Sequence, residues 1–426
     1  MKKLRIATLT NINSMSMVIE KLLTISINLV VFAVLARNLG PQIFGIFALV
    51  QAVYNIGLPI ASAACEQTLI KFQVGKSADV KSLQRTASTL KFTLAVAIYL
   101  LTALVCLIYF ESDIAYLVCI FCISHLLNFE LIFFAYYRGA EKSHLVLLPK
   151  LCVLIPFGLL KIYVATMDLE LTTLAWVFVI ETAALSIAAY LTSQLKKPTV
   201  ETDSTRINFR ELANASYPIF ISAFLIALYV RVDQIMIEYY LTHEDLGLYA
   251  AAAKLSQASQ HILLTILLSR FSYLLRVKKQ SQGKYEKLLI NTMRWCFIPW
   301  LAVVVITYSL GDTIIEAIYG KPYIESQYAL VLLSAGTIFV YYGVICTQWL
   351  MAESLQKYRL IRVFAGLLLN IILNIFMIPR LGIAGAALAT IISQFCSAIL
   401  FNSLHSKTRG IFILQVKSFA PFLNLK

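Results

Sequence analysis

The sequence predicts an all-α polytopic membrane protein with about twelve transmembrane helices, and three observations lead there. Of its 426 residues, 60% are hydrophobic and 14% charged, with a mean hydropathy of +0.79. That leaves too little polar surface to cover a soluble globule. Apolar runs of roughly 20 residues, the length that spans about 30 Å of hydrocarbon as a helix, recur along the whole chain. The basic residues, finally, fall on one side. Threading twelve spans with both ends cytoplasmic leaves 29 of the 36 Lys and Arg on or near the inner side, as the positive-inside rule requires. Only Arg37, Lys161, Lys321 and Arg380 fall outside, while Lys21, Arg231 and Lys254 lie well within spans. The net charge of +14 is therefore an orientation signal, and no nucleic-acid partner is expected.

The spans are expected at 14–36, 42–64, 86–109, 114–137, 145–166, 171–193, 213–237, 246–269, 291–311, 327–351, 358–378 and 383–403. The first follows a basic start, Met1–Arg5, that resembles the head of a signal peptide. Its apolar run is long, leads into a second span and lacks a convincing cleavage site, so it reads as a helix. Glu20, Thr24 and Asn28 share one face of it. The second carries Gln51, Asn55, Pro59 and Ser62 near one stripe, with Gly57 and Pro59 weakening the helix. The fourth holds Ser124, His125, Asn128 and Glu130. The fifth has Pro156, Gly158 and, near its outer end, Lys161; the sixth places Glu181 close to mid-depth.

The seventh span opens on Tyr217-Pro218 and closes on Arg231, Asp233 and Gln234. The eighth sets Lys254, Gln257 and His261 on one stripe of an otherwise Ala/Leu/Ile helix. The ninth contains Pro299, the tenth Tyr341, Tyr342 and Gln348, the eleventh Asn370 and Asn374 on one face, and the twelfth Thr390, Ser393, Gln394 and Ser397. Connections at 65–85, 194–212 and 270–290 are the long ones, rich in Lys and Arg and cytoplasmic in this threading. The outer connections are too short to fold an enzyme's site. The stretch Ile411–Lys426 is apolar but short and reads as interfacial. The eight cysteines lie in or at the ends of spans. Cys119-x-x-Cys122 stands alone in an apolar segment, which reads as packing. No metal or cofactor is expected, and the G-x-x-x-x-G-K-[ST] nucleotide motif is absent from the sequence.

An internal repeat divides the chain. A shift of 202 aligns Leu39 with Leu241, Gly45 with Gly247, Phe47 with Tyr249 and Ala48 with Ala250. A shift of 212 matches Ala140-Glu141 to Ala352-Glu353 and Leu169 to Leu381. The matches fall at equivalent places in two six-span halves, which predicts two pseudo-symmetric six-helix bundles. An even number of spans makes the repeats parallel, related by an axis along the membrane normal. The expected organisation is a bundle at 1–193, a cytoplasmic linker at 194–212, a bundle at 213–403 and a cytoplasmic or interfacial tail at 404–426, with a cavity between the bundles.

Particular residues carry a family resemblance. R-x-L-G-P-x-x-F-G-I-F-A-L at Arg37–Leu49, Tyr217-Pro218, D-Q-I-M-I at Asp233–Ile237 and L-G-x-Y-A-A-A-x-K-L at Leu246–Leu255 resemble polysaccharide flippases of the Wzx, or O-antigen transporter, type. Their superfamily, the multidrug/oligosaccharidyl-lipid/polysaccharide exporters, includes the MATE drug antiporters and the lipid II flippase. The resemblance covers the chain through its length, span number and repeat, and implies a MATE-like fold. It also implies translocation of an undecaprenyl-diphosphate-linked oligosaccharide, an O-antigen or similar repeat unit of lipopolysaccharide. The route is from the inner to the outer leaflet of a bacterial cytoplasmic (inner) membrane. Membrane lipids and a polysaccharide polymerase with its chain-length machinery are the implied partners. The alternatives are a MATE-like antiporter of small cationic drugs, which favours acidic and aromatic cavity residues, and a membrane polymerase or ligase, which needs a larger outer loop.

Seven ionisable residues lie well within spans: Glu20, Lys21, Glu130, Glu181, Arg231, Asp233 and Lys254. At about 2.5–3.5 kcal/mol each on insertion scales, a lipid-facing set would cost roughly 20 kcal/mol, so they are expected to face a wet cavity or one another. Arg231 and Lys254 are expected in the outer half of adjacent antiparallel helices, where a planar fork and a point charge suit a diphosphate. Asp233 lies about 200° round the helix from Arg231 and pairs with Lys254 or points into the bundle. Gln257, Asn28 and Asn55 are candidates for sugar hydroxyls or for interhelical hydrogen bonds. Glu20, Glu130 and Glu181 are candidates for coupling to an ion gradient, or for helix–helix hydrogen bonding. The repeat has Leu29 where Arg231 stands and Ala52 where Lys254 stands, so the two halves share a frame but not a charge pattern.

Overall fold

A computed structural model of the chain describes residues 2–63, 65–76, 80–140, 142–167, 169–195 and 207–423; most of the expected linker at 194–212 lies outside them. Among the described residues the secondary structure is helical: α1 (Lys2–Ala61), α2 (Cys65–Lys76), α3 (Val80–Tyr109), α4 (Ser112–Leu127), α5 (Glu130–Gly139), α6 (His144–Thr166), α7 (Leu171–Leu195), α8 (Phe209–Tyr240), α9 (His243–Ser269), α10 (Phe271–Gln280), α11 (Gln282–Ile318), α12 (Gln327–Ala352), α13 (Gln356–Ala398) and α14 (Arg409–Leu423). Nine helical stretches in this set are long and apolar enough to cross a membrane.

Two of these nine each contain two expected spans. In α1 the break is Gly40, at φ 70°, a left-handed conformation open to glycine. Pro41 follows, and the residue before a proline is driven out of the helical region while the proline itself starts a new helix well. In α13 the break is Gly382, at φ 58°, three residues after Pro379. The helix α9, expected to span, is 27 residues long but is not among the nine. Lys254, Gln257, Gln260 and His261 dilute its hydropathy.

The fourth expected span, 114–137, is not one helix. It breaks at Asn128-Phe129 between α4 and α5, and the backbone groups this frees are met from other helices. Lys91 of α3 donates to the carbonyls of His125 (2.6 Å) and Leu126 (3.3 Å). Ser186 of α7 donates to the carbonyl of Leu127 at 2.7 Å and accepts from the Phe129 amide at 2.8 Å. Such a break holds at membrane depth only where the freed groups find partners. The long connections at 65–85 and 270–290 are themselves partly helical, as α2 and α10.

The chain divides into two compact units, residues 1–39 with 49–227, and residues 40–48 with 228–426. In the first, α7 packs on α4 and α6, α3 on α4, and α2 on α5. In the second, α12 packs on α9, α11 and α13. Tyr285, Leu289 and Met293 of α11 and Tyr342, Ile345 and Cys346 of α12 form its core with Ile411 and Leu414 of α14. The tail helix is therefore seated on this unit: Ser418 pairs with the Tyr342 hydroxyl at 2.8 Å, and Gln415 donates to the Ala398 carbonyl at 2.8 Å.

The segment 40–48 belongs to the second unit through a reciprocal contact. A β-carbon on Gly45 would fall on the carbonyl oxygen of His243, and one on Gly247 on the carbonyl oxygen of Pro41. The shift of 202 relates Gly45 to Gly247 and Pro41 to His243. The two copies of the repeat thus touch through the same atoms in exchanged roles, the signature of a local two-fold. Phe44 is fully buried and stands edge-on to Tyr323, with ring centroids 6.0 Å apart.

Candidate functional site

The turn before α9 sets the position of the cationic hairpin. Thr242 is a capping-box residue: its hydroxyl accepts from the Asp245 amide at 3.2 Å, and the Asp245 carboxylate accepts from the Thr242 amide at 3.2 Å. Two of the helix's unpaired amide ends are satisfied in this way. The carboxylates of Glu244 and Asp245 in the first turn suit the positive end of the helix dipole. From that fixed start, Leu246–Ala253 run buried along α9, and Lys254, Gln257 and His261 are half-buried.

On α8 the buried carboxylate is Asp233. It accepts a hydrogen bond from the Tyr249 hydroxyl of α9 and another from the Gln234 amide at 2.9 Å. Arg231 is half-buried; its guanidinium donates to the neutral Gln234 side chain at 3.4 Å. No carboxylate among the described residues lies within ion-pair distance of it. Arg231 and Lys254 are within electrostatic reach of each other. Four of the predicted site residues, Arg231, Asp233, Lys254 and Gln257, therefore fall in the second unit on two adjoining helices. Tyr249 is the residue that reading the sequence missed. Its spacing of sixteen from Asp233 carries no helical period, and only the hairpin brings the two together.

A cavity of about 360 Å³ opens beside this turn, lined by Gln42, Glu238, Leu241, Thr242, His243 and Glu244. His243 and Glu238 pair across it at 2.7 Å. Its two glutamates make it a poor host for an anion.

The remaining predicted site residues fall in the first unit. Asn28 is exposed. Asn55 donates to the carbonyl of Gln51 at 2.7 Å, one turn back on its own helix. Glu20 is buried and accepts from Arg138 at 2.9 Å and Lys150 at 3.1 Å, and Arg138 also reaches Glu66. Glu181 is paired with Lys161 of α6, which is only 3% exposed and lies 3.7 Å from the centre of the Phe178 ring. Lys161 was expected near the outer end of its span; it is an interior group of this unit. Glu130 is the first residue of α5, where a helix dipole favours a carboxylate, and its Oε2 has no hydrogen-bond partner among the described residues. His125 packs as a buried group, stacked on Tyr54 at 4.5 Å. Lys21 is exposed, in keeping with a lysine near the end of its span.

Arg231 and Lys254 thus stand half-buried on consecutive helices of the second unit, while the buried cations Lys91 and Lys161 of the first are hydrogen-bonded or ion-paired. Among known proteins, the family described as "Polysaccharide biosynthesis protein" matches residues 11–274. The capsular polysaccharide biosynthesis protein CapF of Staphylococcus aureus is 24% identical over 204 residues, 47% of this chain and 50% of that protein. The probable low-salt glycan biosynthesis flippase Agl15 of Haloferax volcanii is 25% identical over 216 residues, 49% of this chain and 43% of that protein. The chain thus spans about half the length of the curated relatives it matches. The solved structure of the lipid II flippase MurJ in an inward closed conformation superposes with a TM-score of 0.71 at 15% identity, over 96% of this chain and 92% of that one. The expected all-α, MATE-like membrane fold is borne out by that likeness, with nine candidate spans among the described residues.

Proposed function

We propose, because the chain belongs to the polysaccharide biosynthesis protein family, that it is a transporter rather than an enzyme, and that it flips an undecaprenyl-diphosphate-linked oligosaccharide, an O-antigen or similar repeat unit, across a bacterial cytoplasmic membrane. In this reading the chain crosses the membrane twelve times with both ends cytoplasmic, and its two bundles alternate between inward-open and outward-open states. The diphosphate is held at Arg231 and Lys254, with Gln257, Asn28 and Asn55 as contacts for sugar hydroxyls, while the polyprenyl tail stays in lipid. Energy comes from an ion gradient, through Glu20, Glu130 or Glu181, or from supply of the cargo. A polymerase with its chain-length machinery takes the product.

The observation that carries this reading is the state of Arg231. It is a cation placed in an apolar helix, its near carboxylate Asp233 is held by Tyr249, and its hydrogen-bond partner is neutral. A half-buried cation whose neighbouring carboxylate lies beyond ion-pair distance is only partly compensated, and an anionic cargo completes the compensation when bound. A carrier of cationic drugs has no use for it. Deleting the gene in its host is expected to accumulate the lipid-linked oligosaccharide in the membrane, and wild-type protein to clear it. Arg231→Ala, expressed to the same level, is expected to slow clearance at least tenfold, or about 1.4 kcal/mol. Clearance at the wild-type rate by both Arg231→Ala and Lys254→Ala would remove the diphosphate contact.

A further inference from the structure

Arg362 stands in the second turn of α13, about 9 Å along the helix from Gln356 at 1.5 Å per residue. It was counted among the cytoplasmic charges on sequence, yet it is 7% exposed. Its Nη2 donates to the carbonyl of Gly343 at 3.2 Å and to the hydroxyl of Thr347 at 3.0 Å, both on α12. Its Nε and Nη1 have no partner among the described residues, and no carboxylate there lies within ion-pair distance. Two neutral acceptors position the guanidinium without neutralising it.

The surroundings extend this into a polar seam. Arg362, Gly366, Asn370 and Asn374 follow one another at intervals of four, so they share a helix face, and all four are buried. A β-carbon on Gly366 would come within 3.3 Å of the Tyr229 hydroxyl, which bonds Ser393 at 3.1 Å. Tyr229 is two residues before Arg231. Arg359, one turn before Arg362, is half-buried on the same side. The second unit therefore carries an open cation at each end of one stretch, Arg362 towards the start of α13 and Arg231 towards the end of α8.

We propose that Arg362, assisted by Arg359, is a second phosphate-binding station, at which the phosphate ester of a membrane-bound lipid is received before it reaches Arg231 and Lys254. This rests on the reading of the cargo as a polyprenyl diphosphate. A guanidinium offers directed donors that match phosphate oxygens. The unpaired donors are unfavourable in the empty protein and become hydrogen-bonded when an anion arrives. The chemistry is that of a phosphate ester on a lipid, carried either by the polyprenyl cargo or by an acidic phospholipid headgroup.

The test uses the full chain in phosphatidylcholine nanodiscs, with radiolabelled polyprenyl diphosphate as the probe and phosphatidylglycerol as competitor, read together with the melting temperature. Arg362→Gln is expected to weaken retention of the probe at least tenfold while leaving the melting temperature unchanged or higher, because it removes an uncompensated charge. Arg362→Lys, which keeps charge but not the fork, is expected to bind about threefold more weakly. Probe binding at wild-type strength by folded Arg362→Gln overturns the station and leaves the proposed function standing. If Arg362→Gln fails to fold while Arg362→Lys binds like wild type, the residue is structural and the inference is overturned. Competition by phosphatidylglycerol at equal affinity assigns the site to a headgroup and removes it from the cargo's route. Wild-type protein that retains no polyprenyl diphosphate overturns both this station and the diphosphate cargo.

Discussion

The two units bury charge in opposite ways. In the first, interior cations are closed off: Arg138 and Lys150 by Glu20, Arg138 again by Glu66, and Lys161 by Glu181. Lys91, 1% exposed, closes on the carbonyls at the break between α4 and α5. In the second, Arg231 and Arg362 meet neutral acceptors, while the neighbouring carboxylate of Asp233 is occupied by a tyrosine. A closed pair joins two helices, whereas the open cations are the groups proposed to meet an anion. The two units thus differ in how their cations are partnered.

The largest expected effect tests the closed side. Lys161→Ala leaves Glu181 buried without its partner and is expected to lower stability by about 3–5 kcal/mol, seen as a lower unfolding temperature in detergent. Lys161→Met with Glu181→Leu removes both charges and is expected to recover stability to within about 1 kcal/mol, with transport per folded molecule unchanged. A double variant that is stable but inactive would make Glu181 a coupling residue and end the contrast.

A smaller effect sharpens the likeness that underlies the contrast. Gly45→Ala and Gly247→Ala each place a methyl group on a backbone carbonyl. Because the contact is reciprocal, both are expected to release the segment 41–48 alike, raising its amide exchange about tenfold, or about 1.4 kcal/mol of local stability. A response to only one of the two substitutions would show that the repeat match has no local two-fold behind it. The smallest effect concerns the open side. Tyr249→Phe takes the hydroxyl donor from the Asp233 carboxylate and leaves more of that charge to act on Arg231 through space, moving the second unit towards the closed condition of the first. Transport is expected to fall about three- to fivefold, as for loss of a contact of about 1 kcal/mol, and Asp233→Asn in the same background is expected to restore it. Equal rates in Tyr249→Phe and wild type would mean that openness at Arg231 is not what matters.

Much of this was legible in the residues. The gap left between the spans at 14–36 and 42–64 contains the break at Gly40, and the repeat aligned Gly45 with Gly247. Asp233 was separable from Arg231 by helical period. The break at Asn128-Phe129 was not legible, because no glycine or proline marks it and its supports, Lys91 and Ser186, come from other helices. The pairing of Lys161 with Glu181 was hidden for a related reason. Each residue is placed by its own helix, and their meeting depends on how α6 and α7 are rotated and slid against each other. The burial of Arg362 was hidden too, because it depends on the packing of α13 on α12.

By itself the sequence determined the membrane class, the helical fold, the repeat and the family, since hydropathy, stereochemistry and period are properties of neighbouring residues. Only the tertiary structure decided which charge is spent on which partner. A turn of 100° per residue carries a side chain from one neighbour to the next, and a hydrogen bond tolerates only a few tenths of an ångström. Composition and spacing do not reach that precision across separate helices. Asp233 looks the same in the sequence whatever its partner, and only the hairpin of α8 and α9 sets its carboxylate against Tyr249.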